Sequence, residues 1–418
     1  MVPAPIRLAL FATSPVYYQA PLYRRLAGDR RVDFTAIFAS TAGVRRADVG
    51  YSAPVAWDVD ALSGYRSVFL RRARRAEIES ASLLRHRDPD IIRELVRGDY
   101  EVLWVHGYNS VTHLLAIFTQ LVRSRPLLLR EEQTLLHSRP FVKEVVKSAL
   151  LGTILQRAYA LYIGTENRRW FHSYGVSEAR QFPVPYCVDN ELFQAEAGRL
   201  EPLRSEVRRD FGIPDDSGPV ILSVARLIPK KQPLFLLEAF RLVRRRRRCC
   251  LLLVGSGELE SEIRQVIQRW QIPDVFLAGF VNQSQITRAY AAADIFTLPS
   301  KMHETWGLVV NEAMNFGLPV VVSDKVGCAS DLIREGINGF VVSANDSSEL
   351  AERLEALVDS PDLRSRLGAA SRGIVAHLTY ESAVEGILRA VAAAVGPERW
   401  ATAGGPRPGS EAQITGVV

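Results

Sequence analysis

Short apolar segments alternate with segments of helical spacing along most of the chain, and this alternation limits the fold more than any other feature. The first half shows it from Ile6–Ala12 to Ala160–Ile163, and the second half shows it more regularly from Val220–Val224 to Gly339–Val342. Strands that alternate with helices predict βαβ units and therefore parallel sheets. The sequence thus predicts an α/β chain with two doubly wound, Rossmann-like domains.

The length of the chain agrees with two domains, because 418 residues exceed the roughly 100–200 that one domain usually takes. We predict an N-terminal domain over 1–187 and a C-terminal domain over 188–380, with a polar, loop-like hinge in Val184–Leu200. A helix over 381–397 is expected to cross back to the N-terminal domain, and the Gly/Pro-rich tail 398–418 is expected to be disordered. Open α/β sheets bind ligands at the carboxyl ends of their strands, so two facing domains predict a deep cleft.

Composition removes several classes of protein. With 47% hydrophobic and 23% charged residues the chain can bury a core, and its four scattered cysteines show neither a disulfide framework nor a zinc-ligand spacing. No apolar run reaches the roughly 18 residues that a spanning helix needs, which favours a cytoplasmic protein. The net charge of +6 permits contact with anionic lipid. The five arginines Arg244–Arg248 are expected to be a solvated helix end, so we predict no nucleic-acid partner.

The segment Glu304–Glu312 carries the most informative pattern. Its two glutamates lie eight residues apart and bracket Gly307 at an expected helix start, and eight helical residues span about 12 Å. That length matches the reach from the sugar to the ribose of a nucleotide sugar, and the N–H groups of a helix start stabilise a diphosphate. Glu312 would accept hydrogen bonds from the ribose, and Glu304 would lie beside the sugar. Two surface carboxylates on an ordinary helix are the alternative interpretation.

Two cations follow the predicted strand Val220–Val224, and we expect Arg226 and Lys231 to point into the cleft. Fixed cations stabilise the charge that a leaving nucleoside diphosphate gains as the glycosidic bond breaks. A solvated basic turn is the alternative. In the next loop, Gly255 and Gly257 would let a phosphate or ribose approach the backbone closely, although such turns are common in α/β folds.

In this order, these blocks resemble the retaining glycosyltransferases of family 4, which have the GT-B fold. The likeness covers roughly Val220–Val342, in segments such as ARLIPKKQPLFLLEAF, LLLVGSGELE and ETWGLVVNEAMNFGLPVVVSDKVGC. The segment PYCVDNELF resembles the hinge of the family more loosely and departs from it at Tyr186 and Cys187. The resemblance implies that Arg226 and Lys231 hold the diphosphate, with Glu304 near the donor sugar and Glu312 on the ribose. The further predicted donor contacts are Thr305, Trp306, Gly307 and Phe280.

The N-terminal half matches the family less closely. There this domain binds the acceptor, and its first loop is often Gly-rich, whereas this chain reads TSPVYYQAP. Tyr17, Tyr18 and Gln19 are our candidate acceptor contacts, because they combine apolar surface with hydrogen-bonding groups.

Many members of the family also carry a His at the end of an N-domain strand, and this chain has REEQ at that place. Glu132 is the nearest positional counterpart and our candidate catalytic residue, next to Glu131. His106, at another strand end, is a second candidate and a predicted acceptor contact. A purely structural role is the alternative for both Glu132 and His106.

The resemblance implies a retaining glycosyltransferase that moves a sugar from a nucleoside-diphosphate sugar to an acceptor hydroxyl, with no metal ion and no further cofactor. The acceptor would be a sugar or a lipid-linked glycan, in surface polysaccharide or glycolipid synthesis. Two alternatives stay open, an isomerase of the nucleotide-sugar 2-epimerase kind and a non-catalytic nucleotide-sugar-binding homologue.

An amphipathic helix is predicted over Phe141–Ala158, with Lys143, Lys147 and Arg157 among its apolar residues. Its apolar face would either pack on the N-terminal sheet or dock the protein on an anionic membrane, at the inner face.

Overall fold

Two parallel β-sheets organise the molecule in the computed structural model, which describes residues 4–42, 44, 57–73, 87–136 and 151–406. The strands of the first sheet are β1 (Ile6–Ala12), β2 (Val32–Phe38), β3 (Arg66–Phe69), β4 (Val102–His106), β5 (Leu127–Arg130), β6 (Tyr159–Tyr162) and β7 (Gln181–Pro183). Those of the second are β8 (Val220–Val224), β9 (Cys250–Val254), β10 (Val275–Gly279), β11 (Ile295–Leu298), β12 (Val320–Ser323) and β13 (Gly339–Val342).

Helices cover both faces of each sheet, and the core lies in the layers between them. The helices are α1 (Ala20–Gly28), α2 (Asp90–Gly98), α3 (Val111–Val122), a helical segment α4 (151–157), α5 (Thr165–Ser173), α6 (Asn190–Leu200), α7 (Arg204–Asp210), α8 (Pro233–Arg244), α9 (Glu260–Trp270), α10 (Ile286–Ala292), α11 (Leu308–Asn315), α12 (Ala329–Leu332), α13 (Ser347–Asp359), α14 (Pro361–Val375), α15 (Tyr380–Val395) and α16 (Pro397–Thr402).

The strand order is β3-β2-β1-β4-β5-β6-β7 in the first sheet and β10-β9-β8-β11-β12-β13 in the second, with every neighbour parallel. Strands covered on both faces need apolar side chains throughout, and β9, which reads CLLLV, is buried along its whole length. The predicted pair of doubly wound α/β units is therefore confirmed. The short edge strand β3 and the three-residue β7 were missed, because RSVF and QFP carry too little apolar pattern.

The order of strands reverses at β1/β4 in one sheet and at β8/β11 in the other. In a doubly wound sheet the loops at such a reversal part to opposite faces and leave a crevice at the carboxyl ends of the strands. The loops that follow β1, β4, β8 and β11 carry most of the residues singled out from the sequence.

Two sequence predictions outside the sheets were wrong in part. The predicted polar hinge loop is helical from Asn190 onward, because Asp189 caps α6 by accepting from the backbone N–H of Leu192 (3.0 Å) and Phe193 and Leu200 are buried. The predicted disordered tail begins with α16, because Trp400 is buried there against the guanidinium of Arg31.

The helix α15 packs on the N-terminal sheet, where Tyr380, Ile387 and Val391 join the buried cluster formed by β1, β2 and α1. The chain thus returns to its first domain after completing the second sheet. The predicted helix over Phe141–Ala158 lies mostly outside the described residues, Lys143 and Lys147 included, and only its last turn is seen as α4. No helix in the described part of the chain is long and apolar enough to cross a bilayer.

Candidate functional site

Lys231 and Glu304 form an ion pair at the carboxyl edge of the second sheet. Lys231 ends a 3-10 turn, Pro229–Lys231, after β8, and the side chains of both partners are about nine-tenths buried, at 14% and 13% exposure. The hydroxyl of Ser300 donates to the same Glu304 oxygen (3.1 Å). A lysine ammonium has three donors, so the contact with Glu304 leaves Lys231 with donors for other groups.

Arg226 lies in the same corner, in the loop directly after β8. The pKa of the neighbouring Lys230 is lowered by burial and by the positive charges of Lys231 and Arg226, which shows that the three cations lie close together. Backbone hydrogen bonds tie this loop to the loop after β9, because the N–H groups of Ala225 and Leu227 donate to the carbonyl oxygens of Val254 and Ser256 (both 3.0 Å). The predicted cation pair is thus presented on a fixed loop.

The segment from Glu304 to Gly307 is not helical. Glu304 pairs with Val326 as an isolated parallel bridge, and α11 begins only at Leu308. The helical estimate of about 12 Å between Glu304 and Glu312 therefore fails for the first half of that segment. Gly307 precedes the helix with φ 103°, a left-handed conformation that residues with a side chain rarely adopt. The helix start is where the sequence predicted it.

Glu312 is buried at 6% exposure within α11. The hydroxyl of Tyr290 donates to its Oε2 (2.5 Å). Burial raises the pKa of the Glu312 carboxyl to about 7, although the hydrogen bonds from Tyr290 and Gln283 oppose that rise. Contact of the Glu312 carboxyl with a ribose stays a prediction.

Gly255 and Gly257 bring two backbone segments into contact. A Cβ on Gly255 would lie 2.0 Å from the carbonyl oxygen of Ala225, and one on Gly257 would lie 2.4 Å from that of Leu227. The glycines therefore let the loop after β9 pack on the Arg226 loop. Contact of their backbone with a donor stays a prediction.

Trp306, a predicted donor contact, occupies a core position between the domains. It is 3% exposed, and its indole N–H donates to Asn311 (2.9 Å). Its ring lies 6.3 Å from that of Tyr186 and fills the space above Gly164, which has no side chain to occupy it. The neighbouring Thr305 is only partly buried and reaches the cleft.

Phe280 follows β10 and packs edge to face on Trp57 of the N-terminal domain (5.7 Å between ring centroids). Beside it, the backbone N–H of Ser284 donates to Asp58 (3.2 Å), and the backbone N–H of Asp58 donates to Asn282 (3.4 Å). No local pattern predicts this contact, because the residues on its two sides lie more than 200 positions apart. It joins the two domains at the mouth of the cleft.

A pocket of about 720 Å³ opens on the N-terminal side of the cleft. Its volume lies within the ~300–1,000 Å³ of small-ligand sites. The loops after β1, β4 and β5 form it, and Thr305 closes it from the other domain. Its polar wall includes Ser14, His106, Asn109 and Glu132.

His106 and Glu132, the two alternative candidates from the sequence, belong to one group. His106 Nε2 lies 2.8 Å from Glu132 Oε1, to which the hydroxyl of Tyr186 also donates. Arg130 Nε lies 3.6 Å from the same oxygen, and the guanidinium stacks on the Tyr186 ring (4.5 Å). Burial acts to raise the pKa of Glu132, but His106, Arg130 and Tyr186 together lower it to about 2.

The three predicted acceptor contacts Tyr17, Tyr18 and Gln19 form one 3-10 turn after β1. Tyr18 lines the pocket, and burial, with the nearby Glu132 charge, raises its pKa to about 12. Tyr17 stacks on Trp57 (4.7 Å) near the cleft mouth, and Gln19 is 3% exposed. Of the three, only Tyr18 belongs to the pocket wall.

Sequence reasoning missed two members of this N-terminal group. Arg130 sits at the end of β5 with 1% of its side chain exposed, and Tyr186 lies in the linker after β7. The only signal for Tyr186 was its departure from the family's hinge pattern. Among the residues that the structure describes, no group of three or more His, Cys, Asp or Glu side chains has an arrangement that fits a metal ion.

Solved structures share this architecture over nearly the whole chain. The Anabaena protein HepE in complex with UDP superposes with a TM-score of 0.71 at 17% identity, over 93% of this chain and 100% of that one. A glycosyltransferase from Rickettsia africae gives 0.72 at 13% identity, over 94% and 99%. With its two facing parallel sheets, the chain has the GT-B fold.

Residues 204–373 match the family model described as glycosyl transferases group 1. The chain is also 29% identical over 186 residues to an alpha-D-kanosaminyltransferase of Streptomyces kanamyceticus, covering 44% of this chain and 46% of that one. It is 33% identical over 185 residues to a GDP-mannose-dependent monoacylated alpha-(1-6)-phosphatidylinositol monomannoside mannosyltransferase of Corynebacterium glutamicum, covering 43% and 47%. The chain spans about half the length of the curated relatives it matches.

Proposed function

We propose that the protein is a glycosyltransferase that moves a sugar from a nucleoside-diphosphate sugar to an acceptor hydroxyl. The observation that carries the proposal is the Lys231–Glu304 pair at the carboxyl edge of the second sheet. It lies beside Arg226 and shortly before the start of α11, within the segment that matches glycosyl transferases group 1.

In this proposal the diphosphate lies between the cations and the helix start. Arg226 and Lys231 bind its oxygens, and the N–H groups that begin α11 after Gly307 add dipoles of the same sign. Negative charge grows on the leaving group as the glycosidic bond breaks, so these fixed groups stabilise the transition state more than the ground state. Glu304 accepts from Lys231 and holds the ammonium in place beside the donor sugar.

The nucleoside extends along α11 toward Glu312. The carboxyl lies buried beside Tyr290 and accepts hydrogen bonds from the ribose hydroxyls once it is ionised. Phe280, on the loop after β10, borders the base. A UDP-bound neighbour with the same fold supports a nucleotide as the ligand.

Transfer proceeds with retention at the anomeric carbon and without a metal ion or other cofactor. The support for retention is the resemblance of 220–342 to family 4. Arg226, Lys231 and the helix start carry the positive charge that a divalent ion supplies in other transferases.

The acceptor is a sugar or a lipid-linked glycan of surface polysaccharide or glycolipid synthesis, bound in the pocket on the N-terminal side. The name of the Corynebacterium relative, which acts on a mannosylated phosphatidylinositol, supports a glycolipid. A cytoplasmic protein that docks on the inner face of an anionic membrane, through the basic residues of 141–158, would meet such an acceptor.

Thermal denaturation against a panel of UDP-, GDP-, dTDP- and ADP-sugars tests the proposal. A ligand at 100 times its Kd stabilises the folded protein by about 2.7 kcal/mol, so the sugar nucleotide that binds should raise the melting temperature more than the others. Incubation of the stabilising sugar nucleotide with the protein should then release nucleoside diphosphate. An epimerised donor would indicate the isomerase, and binding without any turnover would indicate a non-catalytic homologue.

A further inference from the structure

A second pocket, of about 540 Å³, lies at the other edge of the second sheet, and we call it the Arg364 pocket. Two residues of its wall mark the place, because Asp294 directly precedes β11 and Pro319 directly precedes β12. The pocket is therefore at the amino ends of these strands, whereas the Lys231–Glu304 pair is at the carboxyl edge of the same sheet. Its volume lies within the ~300–1,000 Å³ of small-ligand sites. A ligand bound there would leave the cleft between the domains empty.

The buried carboxylate beside this pocket is already fully engaged. Asp294 accepts from Arg204 (2.7 Å), from Arg208 (2.6 Å) and from the backbone N–H of Val220 (2.6 Å). One negative charge thus faces two guanidinium groups. The other carboxylate among the described residues of the wall is Glu201, which is exposed to solvent.

Two further arginines of the wall, both on α14, have only backbone carbonyls as printed partners. Arg364 Nη1 donates to Leu357 (2.7 Å) and Val358 (2.9 Å), and Arg372 Nη2 donates to Phe316 (3.3 Å). Unlike Arg204, neither forms an ion pair with a carboxylate among the residues that the structure describes. A guanidinium has five N–H donors, so both side chains keep donors for a ligand.

The electrostatics of Arg364 agree with this excess of positive charge. Burial lowers the pKa of the Arg364 guanidinium, the charges of Arg204 and Arg208 lower it further, and Asp294 opposes them. An arginine nevertheless stays protonated in a protein. Arg364 is therefore a cation whose charge its neighbours do not balance, and a bound anion would stabilise it.

We propose that the Arg364 pocket binds the phosphate group of a phosphorylated small molecule, held by Arg204, Arg364 and Arg372. The planar fork of a guanidinium matches the oxygens of a phosphate. A phosphate monoester also carries about −1.5 to −2 charges at pH 7 and has three acceptor oxygens, which suits several arginines at once. The polar side chains of Gln194 and Ser365 in the same wall would contact hydroxyl groups of the remaining ligand. This inference does not depend on the proposed function.

Gly198 offers a test that removes none of the arginines. It belongs to the pocket wall, on α6, and a Cβ there would meet no atom within 4 Å. Gly198→Glu adds a carboxylate to the wall, and Gly198→Gln is the matched control with the same shape and no charge. Both changes replace a glycine inside a helix, so neither should unfold the protein.

Phosphorus NMR of inorganic phosphate, with sodium chloride added to keep the ionic strength constant, measures the Kd. The wild type and Gly198→Gln should bind phosphate equally, and Gly198→Glu should raise the Kd about tenfold through repulsion between like charges. Arg372→Gln should raise it by a similar factor. Absence of phosphate binding in the wild type, or one Kd for all four proteins, overturns the proposal.

Lys231→Ala separates this pocket from the cleft, where a phosphate could also meet cations. Binding to the Arg364 pocket should persist in Lys231→Ala and weaken in Gly198→Glu. The reverse pattern would assign the phosphate to the cleft and overturn the proposal. Glycerol 3-phosphate, as a phosphate monoester with hydroxyl groups, should compete with inorganic phosphate for the pocket in Lys231→Ala, and failure to compete would overturn the small-molecule ligand. Nucleotide binding and turnover judge the proposed function independently of these results.

Discussion

The two walls of the cleft are built on the same sheet architecture but draw their chemistry from the chain in different ways. On the C-terminal wall, Arg226 and Lys231 belong to one short segment after β8, and Glu304 and Glu312 belong to another around the start of α11. On the N-terminal wall, the group around Glu132 joins side chains that lie 26 and 54 positions away along the sequence. One wall is made of motifs, and the other is made of contacts between isolated residues.

This difference has a physical origin. A helix start and the loop after a strand fix several functional groups through local backbone geometry. A few adjacent residues can therefore form a diphosphate site. A carboxylate held by a histidine, a tyrosine and an arginine depends on tertiary packing alone. The comparison therefore predicts that a substitution on the C-terminal wall removes only the contact of the substituted residue. A substitution on the N-terminal wall should also displace the side chains packed against it.

The largest effect is expected from Lys231→Ala on the C-terminal wall. In the proposed site it removes one fixed donor to a developing negative charge, which would cost about 2.7–4 kcal/mol, or about 10²–10³ in turnover. Donor turnover of the purified variant measures it. Because the change leaves Glu304 buried without its partner, the melting temperature should fall, and an unchanged circular dichroism spectrum at the assay temperature shows that the fold is intact. Lys301→Ala is the control, because that residue is exposed beside the same site. Near-normal turnover in folded Lys231→Ala would remove Lys231 from the diphosphate site.

How far the site could be predicted follows the same division. The alternation of strands and helices predicted both sheets, and the helix start at Gly307 was visible because a glycine and an apolar run mark it locally. Tyr186 and Arg130 carry no such mark, since each acquires its role only when β5 and the linker after β7 come together. Trp306 shows the reverse case, because it belongs to a motif that is readable in the sequence, whereas the packing of its ring between the domains is not.

The next effect concerns the ribose end of the same wall. Glu312→Gln keeps the shape of the side chain and removes the charge that, in the proposed site, accepts hydrogen bonds from two ribose hydroxyl groups. The loss should be about 1.5–3 kcal/mol, or about 10–150-fold in the Kd for the nucleoside diphosphate. Calorimetric titration with UDP and GDP measures it. Equal Kd values for wild type and variant would place the ribose elsewhere.

The raised pKa of Glu312 gives that contact a pH dependence with a definite sign. The carboxyl is neutral below its pKa of about 7 in the free protein. If the ribose is bound by the ionised form, the Glu312 carboxyl must lose its proton on binding. The Kd therefore rises as pH falls below about 7, and the rise approaches tenfold for each pH unit. Titrations at pH 5.5, 6.5, 7.5 and 8.5 measure the slope. The terminal phosphate of the nucleotide also titrates, at about pH 6, so Glu312→Gln supplies the reference slope. The wild type should lose affinity more steeply than the variant as pH falls, and equal slopes would assign the dependence to another group.

The smallest effect is expected where the two walls touch. Asp58 of the N-terminal domain accepts from the backbone N–H of Ser284 (3.2 Å) and from its hydroxyl, beside the Trp57–Phe280 ring contact. Asp58→Ala removes both bonds. Because Asp58 is exposed, we expect less than the ~0.5–1.5 kcal/mol of an average hydrogen bond, and so at most a few-fold rise in the dissociation rate of the nucleotide. Asp33→Ala, an exposed aspartate on β2 away from the cleft, is the control. Stopped-flow release of UDP or GDP measures the rate. If Asp58→Ala raised the dissociation rate by a factor as large as the loss of turnover in Lys231→Ala, the contact between the two domains would govern binding more than the side chains of either wall.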